Sequence, residues 1–250
     1  MISLQDKVVF ITGGSRGIGA ACVKLFYQAG ATIVFSYKEN LKAADALVAS
    51  FSLNKPFPIQ IDFNSETDII EKVNFILNKF SRIDILINNA GVWKYGEADK
   101  ISLGDWNATI QINLTSTFLV TKEVLPSMKK NKFGRIINIS STAGQRGEPF
   151  YSHYAASKGG IISYTKSLAS ELGKFNINTN CVAPGWVDTE MVSSVFSDEA
   201  YKEKERKAIP VQRIATAEDI AGPVLFLASD LARHINGEIL NVNGGSILCG

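Results

Sequence analysis

The chain has 250 residues, with 46% hydrophobic and 20% charged side chains, enough apolar material to fill a large core. Its 26 Lys+Arg against 24 Asp+Glu leave a formal charge of +2, so no strong field favours nucleic acid or an anionic membrane. Three cysteines, Cys22, Cys181 and Cys249, are too far apart for a metal or redox motif, and their odd count does not read as a disulfide framework. No metal site is expected. The N-terminal residues carry no signal-peptide pattern and the longest apolar runs are too short to span a bilayer, so a cytoplasmic location is expected.

In chain order, short β-branched runs alternate with stretches of helical period. Strands are predicted at Val8–Thr12, Thr32–Ser36, Phe57–Ile61, Ile83–Ile87, Arg135–Ile139, Asn178–Val182 and Glu238–Val242. Helices are predicted near 17–29, 40–52, 66–80, 104–130, 153–174 and 217–228. The strands are apolar throughout, as parallel strands covered on both faces are. The alternation predicts one α/β domain over 1–250, with a doubly wound, mostly parallel seven-stranded sheet and helices on both faces. Ligands of such sheets bind beyond the carboxyl ends of the strands, and the polar motifs of this chain fall there. The segment 188–213 breaks the rhythm and carries the charge run Lys202–Lys207; it is expected to be a substrate lid, the alternative being a solvated pair of surface helices.

The first strand runs into Thr12-Gly13-Gly14-Ser15-Arg16-Gly17-Ile18-Gly19 and then an amphipathic stretch. Gly13, Gly17 and Gly19 let the turn tighten and let backbone approach a pyrophosphate, while a helix opening near Gly17 aims free N–H groups at that anion. Ser15, Arg16 and Ile18 belong to the same turn. The spacing differs from the general G-x-G-x-x-G dinucleotide fingerprint. At the end of the second strand, where an NAD site usually places a carboxylate, the chain has Ser36 and Lys38, with Arg16 nearby in the turn. A hydroxyl and cations suit a 2′-phosphate, so NADP(H) is expected, unless both cations are merely solvated. Asp62 follows the third strand, where it can accept from an adenine amino group or cap the helix beginning near Ser65.

Tyr154 and Lys158 lie four apart on a predicted helix, which stacks them on one face. A nearby ammonium favours a phenolate, and a pKa drop of about 3 units, roughly 4 kcal/mol, would make the phenol a usable acid and base. Ser141 follows the fifth strand and can donate to a substrate carbonyl oxygen. Asn88-Asn89-Ala90-Gly91 follows the fourth strand; Gly91 lets backbone approach a cofactor and the asparagines pin the turn. Asn113 sits inside a helical stretch, where an asparagine costs propensity, and a kink holding a water between Asn113 and Lys158 would account for it.

Taken together, Thr12–Gly19, Asn88–Gly91, Asn113, Ser141, Tyr154, Lys158 and Pro184-Gly185 resemble the short-chain dehydrogenase/reductase family over nearly the whole chain. The resemblance implies a tetrad of Asn113, Ser141, Tyr154 and Lys158, with Tyr154 as general acid in reduction, Lys158 lowering its pKa, Ser141 orienting the carbonyl and Asn113 holding the relay water. It also implies cofactor contacts from Asn89 and Ala90, nicotinamide contacts from Pro184, Gly185, Val187 and Thr189, the last through the carboxamide and with core packing the alternative for Val187, and commonly a homotetramer. Asn180–Met191, Phe226–Asp230 and Gly237–Gly245 resemble bacterial 3-oxoacyl-[acyl-carrier-protein] reductases, which implies an acyl-thioester substrate and an acyl carrier protein partner. Lys132 fits a basic position of those enzymes, whereas Phe175 stands where an Arg is expected beside Lys174. Gln145, Tyr151, His153 and Trp186 make the surroundings of Tyr154 bulkier than theirs and are candidate substrate contacts, with core packing the alternative for Tyr151 and His153.

Three functions follow. The first is an NADPH-dependent reductase of 3-oxoacyl thioesters. The second is a related enzyme acting on a small ketone, sugar or polyol. The third is a silent dinucleotide sensor, against which the Ser–Tyr–Lys set argues, since a sensor needs no proton donor.

Overall fold

A computed structural model describes residues 2–248; the cysteine at position 249 lies outside them. In chain order the elements are β1 (Val8–Ile11), α1 (Gly17–Gln28), β2 (Thr32–Tyr37), α2 (Leu41–Ala49), β3 (Phe57–Gln60), α3 (Glu66–Phe80), β4 (Ile85–Asn88), α4 (Leu103–Ile110), α5 (Ser116–Asn131), β5 (Gly134–Ile139), α6 (Ala143–Arg146), α7 (Ser152–Leu172), β6 (Ile177–Pro184), α8 (Ser193–Phe196), α9 (Glu199–Ala208), α10 (Ala217–Ala228) and β7 (Ile239–Val242). The strands form one sheet in the order β3-β2-β1-β4-β5-β6-β7, every neighbouring pair parallel. This is the expected doubly wound α/β fold, and among the described residues the sheet has no antiparallel strand. The order reverses between β1 and β4, which opens a crevice at the carboxyl ends of these two strands.

Strand alternation divides the core. Val9, Ile11, Ile85, Ile87, Ile137 and Ile139 face one side, where α1 packs against α10 through Phe26, Ile220 and Val224. Phe10, Leu86 and Ile136 face the other, under α3, α5 and α7, where Ile69, Val73, Val124 and Leu172 cover them. Period-2 side chains on strands buried on both sides give two apolar layers, which is why the strand sequences read as unbroken apolar runs.

The predicted strands are all present, with ends moved by one or two residues. Thr12, expected at the end of β1, leaves the strand; its hydroxyl instead accepts from the N–H groups of Asn89 (2.9 Å) and Ala90 (3.0 Å). Ile83 precedes β4, because Asp84 turns its carboxylate to the Val8 N–H at 2.9 Å and pairs with Arg82. The predicted 104–130 helix divides at Gln111–Thr115, a π turn joining α4 to α5. Ser65, not Asp62, caps α3: its hydroxyl accepts from the Asp68 N–H, while the Asp62 carboxylate accepts from Asn64.

Candidate active site

The glycine turn is shaped by what cannot be there. Gly13 and Gly17 have φ of +65° and +52°, and a Cβ on Gly19 would stand 2.2 Å from the Gly13 carbonyl oxygen. Asn89 crosses the crevice and donates through its Nδ2 to the carbonyls of Thr12 (3.0 Å) and Gly13 (3.1 Å). From the other side the Ser36 hydroxyl accepts from the Gly13 N–H at 2.9 Å. Ser36 is fully buried and holds the turn itself. Helix α1 opens here with no side-chain cap, unlike α2, α3, α4, α9 and α10, which Asn40, Ser65, Ser102, Asp198 and Thr216 cap. Free first-turn N–H groups behind a surface without Cβ atoms are the donor set a pyrophosphate needs, so the residues present fit a dinucleotide.

Ser15, Arg16 and Gly17 line a groove that runs past Asn40 to Thr216 and shares Thr189 with the main cavity. Lys38 and Asp62 lie outside both, at the edge of β2 and β3, where the Lys38 ammonium is 3.3 Å from Glu39 and 3.9 Å from Asp62.

The main cavity, about 320 Å³, lies beyond β4, β5 and β6. It brings together Ile18, Asn89, Gly91, Ser141, Tyr154 and Lys158, and from the segment after β6 Pro184, Gly185, Trp186, Val187 and Thr189. Tyr154 and Lys158 share one face of α7 and both are buried. Ser141 stands close enough to Tyr154 to lower its phenol, and the Ser141 hydroxyl accepts from the Ala143 N–H at 3.1 Å. The Lys158 Nζ donates to the Ile139 carbonyl at 2.8 Å and stands 5.7 Å from the centre of the Tyr154 ring.

Asn113 reaches this group from the π turn. Its Oδ1 accepts from the Val92 N–H (2.8 Å), and its Nδ2 donates to the Val92 carbonyl (3.0 Å) and the Ser157 hydroxyl (3.0 Å). A Cβ placed on Gly91 would meet Asn113 Oδ1 at 3.3 Å and Lys158 Nζ at 3.5 Å, so Gly91 keeps open the space between them. A π turn at a functional residue is a recurrent device, and here it accommodates an asparagine that disfavours a regular helix.

The electrostatics differ from expectation. Burial pushes the Tyr154 phenol up to about 12, outweighing the Ser141 hydroxyl that lowers it, and the Glu148 carboxylate adds to the rise. Burial also brings Lys158 down to about 8. Both groups are desolvated, which penalises each charged form, and the lysine hydrogen is directed at Ile139. In this state the phenol is a secure proton carrier, and the neighbouring ammonium can stabilise the phenolate left after the proton is given up.

The remaining candidate contacts are placed differently. Gln145 turns aside and donates to Asn241 on β7 at 2.6 Å. His153 is buried beside Gly96, away from the cavity. Tyr151 stacks flat on Trp93, with ring centres 4.2 Å apart, and so supports a wall of the cavity. Sequence reasoning missed Trp93, Arg146, Glu148 and Glu205, all of which line it. Glu205 lies inside the charge run that reads as solvated surface, and Trp93 follows Asn88–Gly91 closely enough that the motif could have pointed to it.

Residues 13–246 match the family model described as enoyl-(acyl carrier protein) reductase. The chain is 41% identical over 246 residues to the 3-oxoacyl-[acyl-carrier-protein] reductase FabG of Aquifex aeolicus, covering 98% of each chain. The chain belongs to the short-chain dehydrogenase/reductase family. The similarly named reductase of Synechocystis is 38% identical, over 99% of this chain and 100% of its own, and the FabG of Thermotoga maritima 39%, over 98% and 99%. As a short-chain dehydrogenase/reductase the protein is an oxidoreductase of CH–OH/C=O groups that works with a nicotinamide dinucleotide. Among the described residues no helix is long and apolar enough to cross a membrane, and no cluster of His, Cys, Asp and Glu could hold a metal ion.

Proposed function

We propose that this chain is an NADP(H)-dependent carbonyl reductase whose proton donor is Tyr154. The observation that carries the reading is the convergence of Ser141, Tyr154 and Lys158 on one cavity, with the Lys158 ammonium 5.7 Å from the centre of the Tyr154 ring. Gly13, Ser15, Arg16, Gly17, Ile18 and Gly19 would hold the pyrophosphate end. Asn89, Ala90, Gly91, Pro184, Gly185, Val187 and Thr189 would hold the nicotinamide end, with Asp62 at the adenine. Exposed Arg16 and Lys38, with no carboxylate at the end of β2 before Glu39, suit a 2′-phosphate, which is the reason for preferring NADP(H) to NAD(H). When bound, the cofactor supplies a hydride to the carbonyl carbon.

The residues of the chain do the rest. Ser141 donates to the substrate oxygen and fixes its distance from the phenol. Tyr154, kept protonated by burial, passes its proton to that oxygen, and Lys158 stabilises the resulting phenolate. Asn113 positions the group by tying the Val92 backbone to α7, and a water between Asn113 and Lys158 returns the proton. The segment 188–213, with α8 and α9, closes over the cavity as a lid; Lys202 pairs with Asp188 at 2.8 Å across its base. Exposed Leu103, Trp106 and Phe118 on α4 and α5 suit packing in a homotetramer.

The names of the relatives favour a 3-oxoacyl thioester, delivered on an acyl carrier protein, as substrate. A second reading, a small free carbonyl compound, is favoured by the bulk of Trp93, Tyr151 and Trp186 around the cavity. The test is NADPH oxidation with an acetoacetyl thioester and with a panel of free ketones. Tyr154→Phe is expected to lower turnover by roughly 10²–10⁴-fold with nucleotide binding kept; unchanged turnover rejects the reading.

A further inference from the structure

The cavity wall opposite the glycine turn has a chemistry that carbonyl reduction does not require. Trp93, from the loop after β4, meets Trp186, from the loop after β6, edge to face at 5.9 Å. A carboxylate accompanies each indole in the lining. Glu148 lines the cavity with Trp93, and Trp186 Nε1 donates to Glu205 Oε2 at 2.8 Å. The carboxylates come from separate segments, before α7 and on α9, yet act on one another. Burial lifts the Glu148 carboxyl above its ordinary range, Arg146 and Trp93 draw it back, and the Glu205 charge lifts it further.

The wall therefore offers two kinds of surface at once. Indole faces take C–H groups, while Glu148 and Glu205 keep lone pairs, Glu205 beyond the one that Trp186 uses, and Arg146 supplies donors. Counted with Lys158, the cavity carries two cations and two anions, so it has no net preference for a charged ligand. An alkyl chain lying here would cover these groups without replacing their hydrogen bonds to water, at about 1–3 kcal/mol for each group left unpaired. A neutral molecule with several hydroxyls satisfies carboxylates and guanidinium together, and its C–H faces pack on the rings.

From this wall we infer that the site recognises a polyhydroxylated carbonyl compound, with Trp93, Glu148, Trp186 and Glu205 holding the hydroxylated end. The inference rests on the carbonyl-reductase reading in its small-substrate form. In the reduction the C=O bond becomes CH–OH: carbon gains the hydride of NADPH, oxygen gains the Tyr154 proton, and NADP⁺ is released. The opposite direction oxidises the corresponding polyol.

Ligand-observed NMR titration of the full chain, without added nucleotide, separates this from the parent reading. The ligands are fructose, sorbitol, the unhydroxylated analogue 2-hexanone and acetoacetyl-N-acetylcysteamine. Fructose or sorbitol is expected to bind at least tenfold more tightly than 2-hexanone, and Glu205→Gln and Trp93→Leu are each expected to weaken that binding at least tenfold. Glu205→Gln is nearly isosteric, so it remains informative if Trp93→Leu fails to fold. The inference is overturned if 2-hexanone or the thioester binds as well as the hydroxylated ligands, if neither hydroxylated ligand binds, or if Glu205→Gln binds them unchanged. Binding of fructose with no NADPH oxidation for any carbonyl would reject the reductase reading and leave the recognition standing. Thioester turnover without binding of either hydroxylated ligand would do the reverse.

Discussion

Lys158 donates its ammonium hydrogen to the carbonyl oxygen of Ile139, the last residue of β5, at 2.8 Å. The bond anchors α7 to the strand that leads into Ser141, so the lysine and the serine on either side of Tyr154 are set by one contact.

That placement has a cost to stability that depends on pH. Lys158 falls from its ordinary 10.5 to about 8 on burial, so between these values the unfolded chain binds more protons than the folded one. Stability should rise with pH through that window, and the full penalty, about 3 kcal/mol, applies below pH 8. Lys158→Met is expected to raise stability at pH 7 by ~1–3 kcal/mol, the lost hydrogen bond offsetting part of the gain, while turnover disappears. Urea unfolding at pH 7 and pH 9.5 checks this: the advantage of the variant must shrink at the higher pH.

Tyr154 gives a prediction about reaction direction. With its phenol at about 12, the residue is protonated throughout the working range, as reduction needs. Alcohol oxidation needs the phenolate, so its initial rate is expected to climb about tenfold per unit between pH 6 and 8, where Lys158 with its value of about 8 still holds its charge, with reduction nearly flat. Oxidation independent of pH would contradict the role given to Tyr154.

Replacing Asn113 tests the clamp beneath the site. Asn113→Leu leaves the Val92 N–H and the Ser157 hydroxyl without the partners that Asn113 gives them. A loss of ~2–4 kcal/mol is expected in chemical denaturation, with kcat falling more than KM rises.

Nucleotide binding can be probed at two points. Gly19→Ala would drive a methyl against the Gly13 carbonyl, so the turn must open, and the KM for nucleotide should rise at least tenfold. Lys38→Ala should raise the KM for NADPH several-fold and leave NADH little changed, since only the former carries the 2′-phosphate. Equal effects on both cofactors would remove Lys38 from phosphate recognition.

Much of this was legible in the sequence because it is local. Buried parallel strands announce themselves as apolar runs, and the glycine turn, Asn88–Gly91 and the Tyr154–Lys158 pair are each contained in a few residues at a strand end or on one helix face. Asn113 was readable as an anomaly, and the π turn explains it. What was not legible depends on distant segments meeting. Glu148 and Glu205 lie 57 positions apart in the numbering, and each reads alone as an ordinary surface acid. The upward shift of Tyr154 was hidden for a similar reason: spacing shows that a cation is near, whereas the burial that raises the phenol depends on the whole wall around α7.

The π turn also constrains chain length. By adding a residue to one helical turn, it puts α4 out of phase with α5 by about 100° relative to an uninterrupted helix of 3.6 residues per turn. Deleting one residue within 111–115 would let the helix close up and rotate everything on one side of the join. Asn113 would then leave Val92, and the buried Thr109 of α4 would turn from its present surroundings. A single-codon deletion here would thus rewire the centre of the molecule, whereas the same deletion in the exposed stretch 52–55 between α2 and β3 would only shorten a loop.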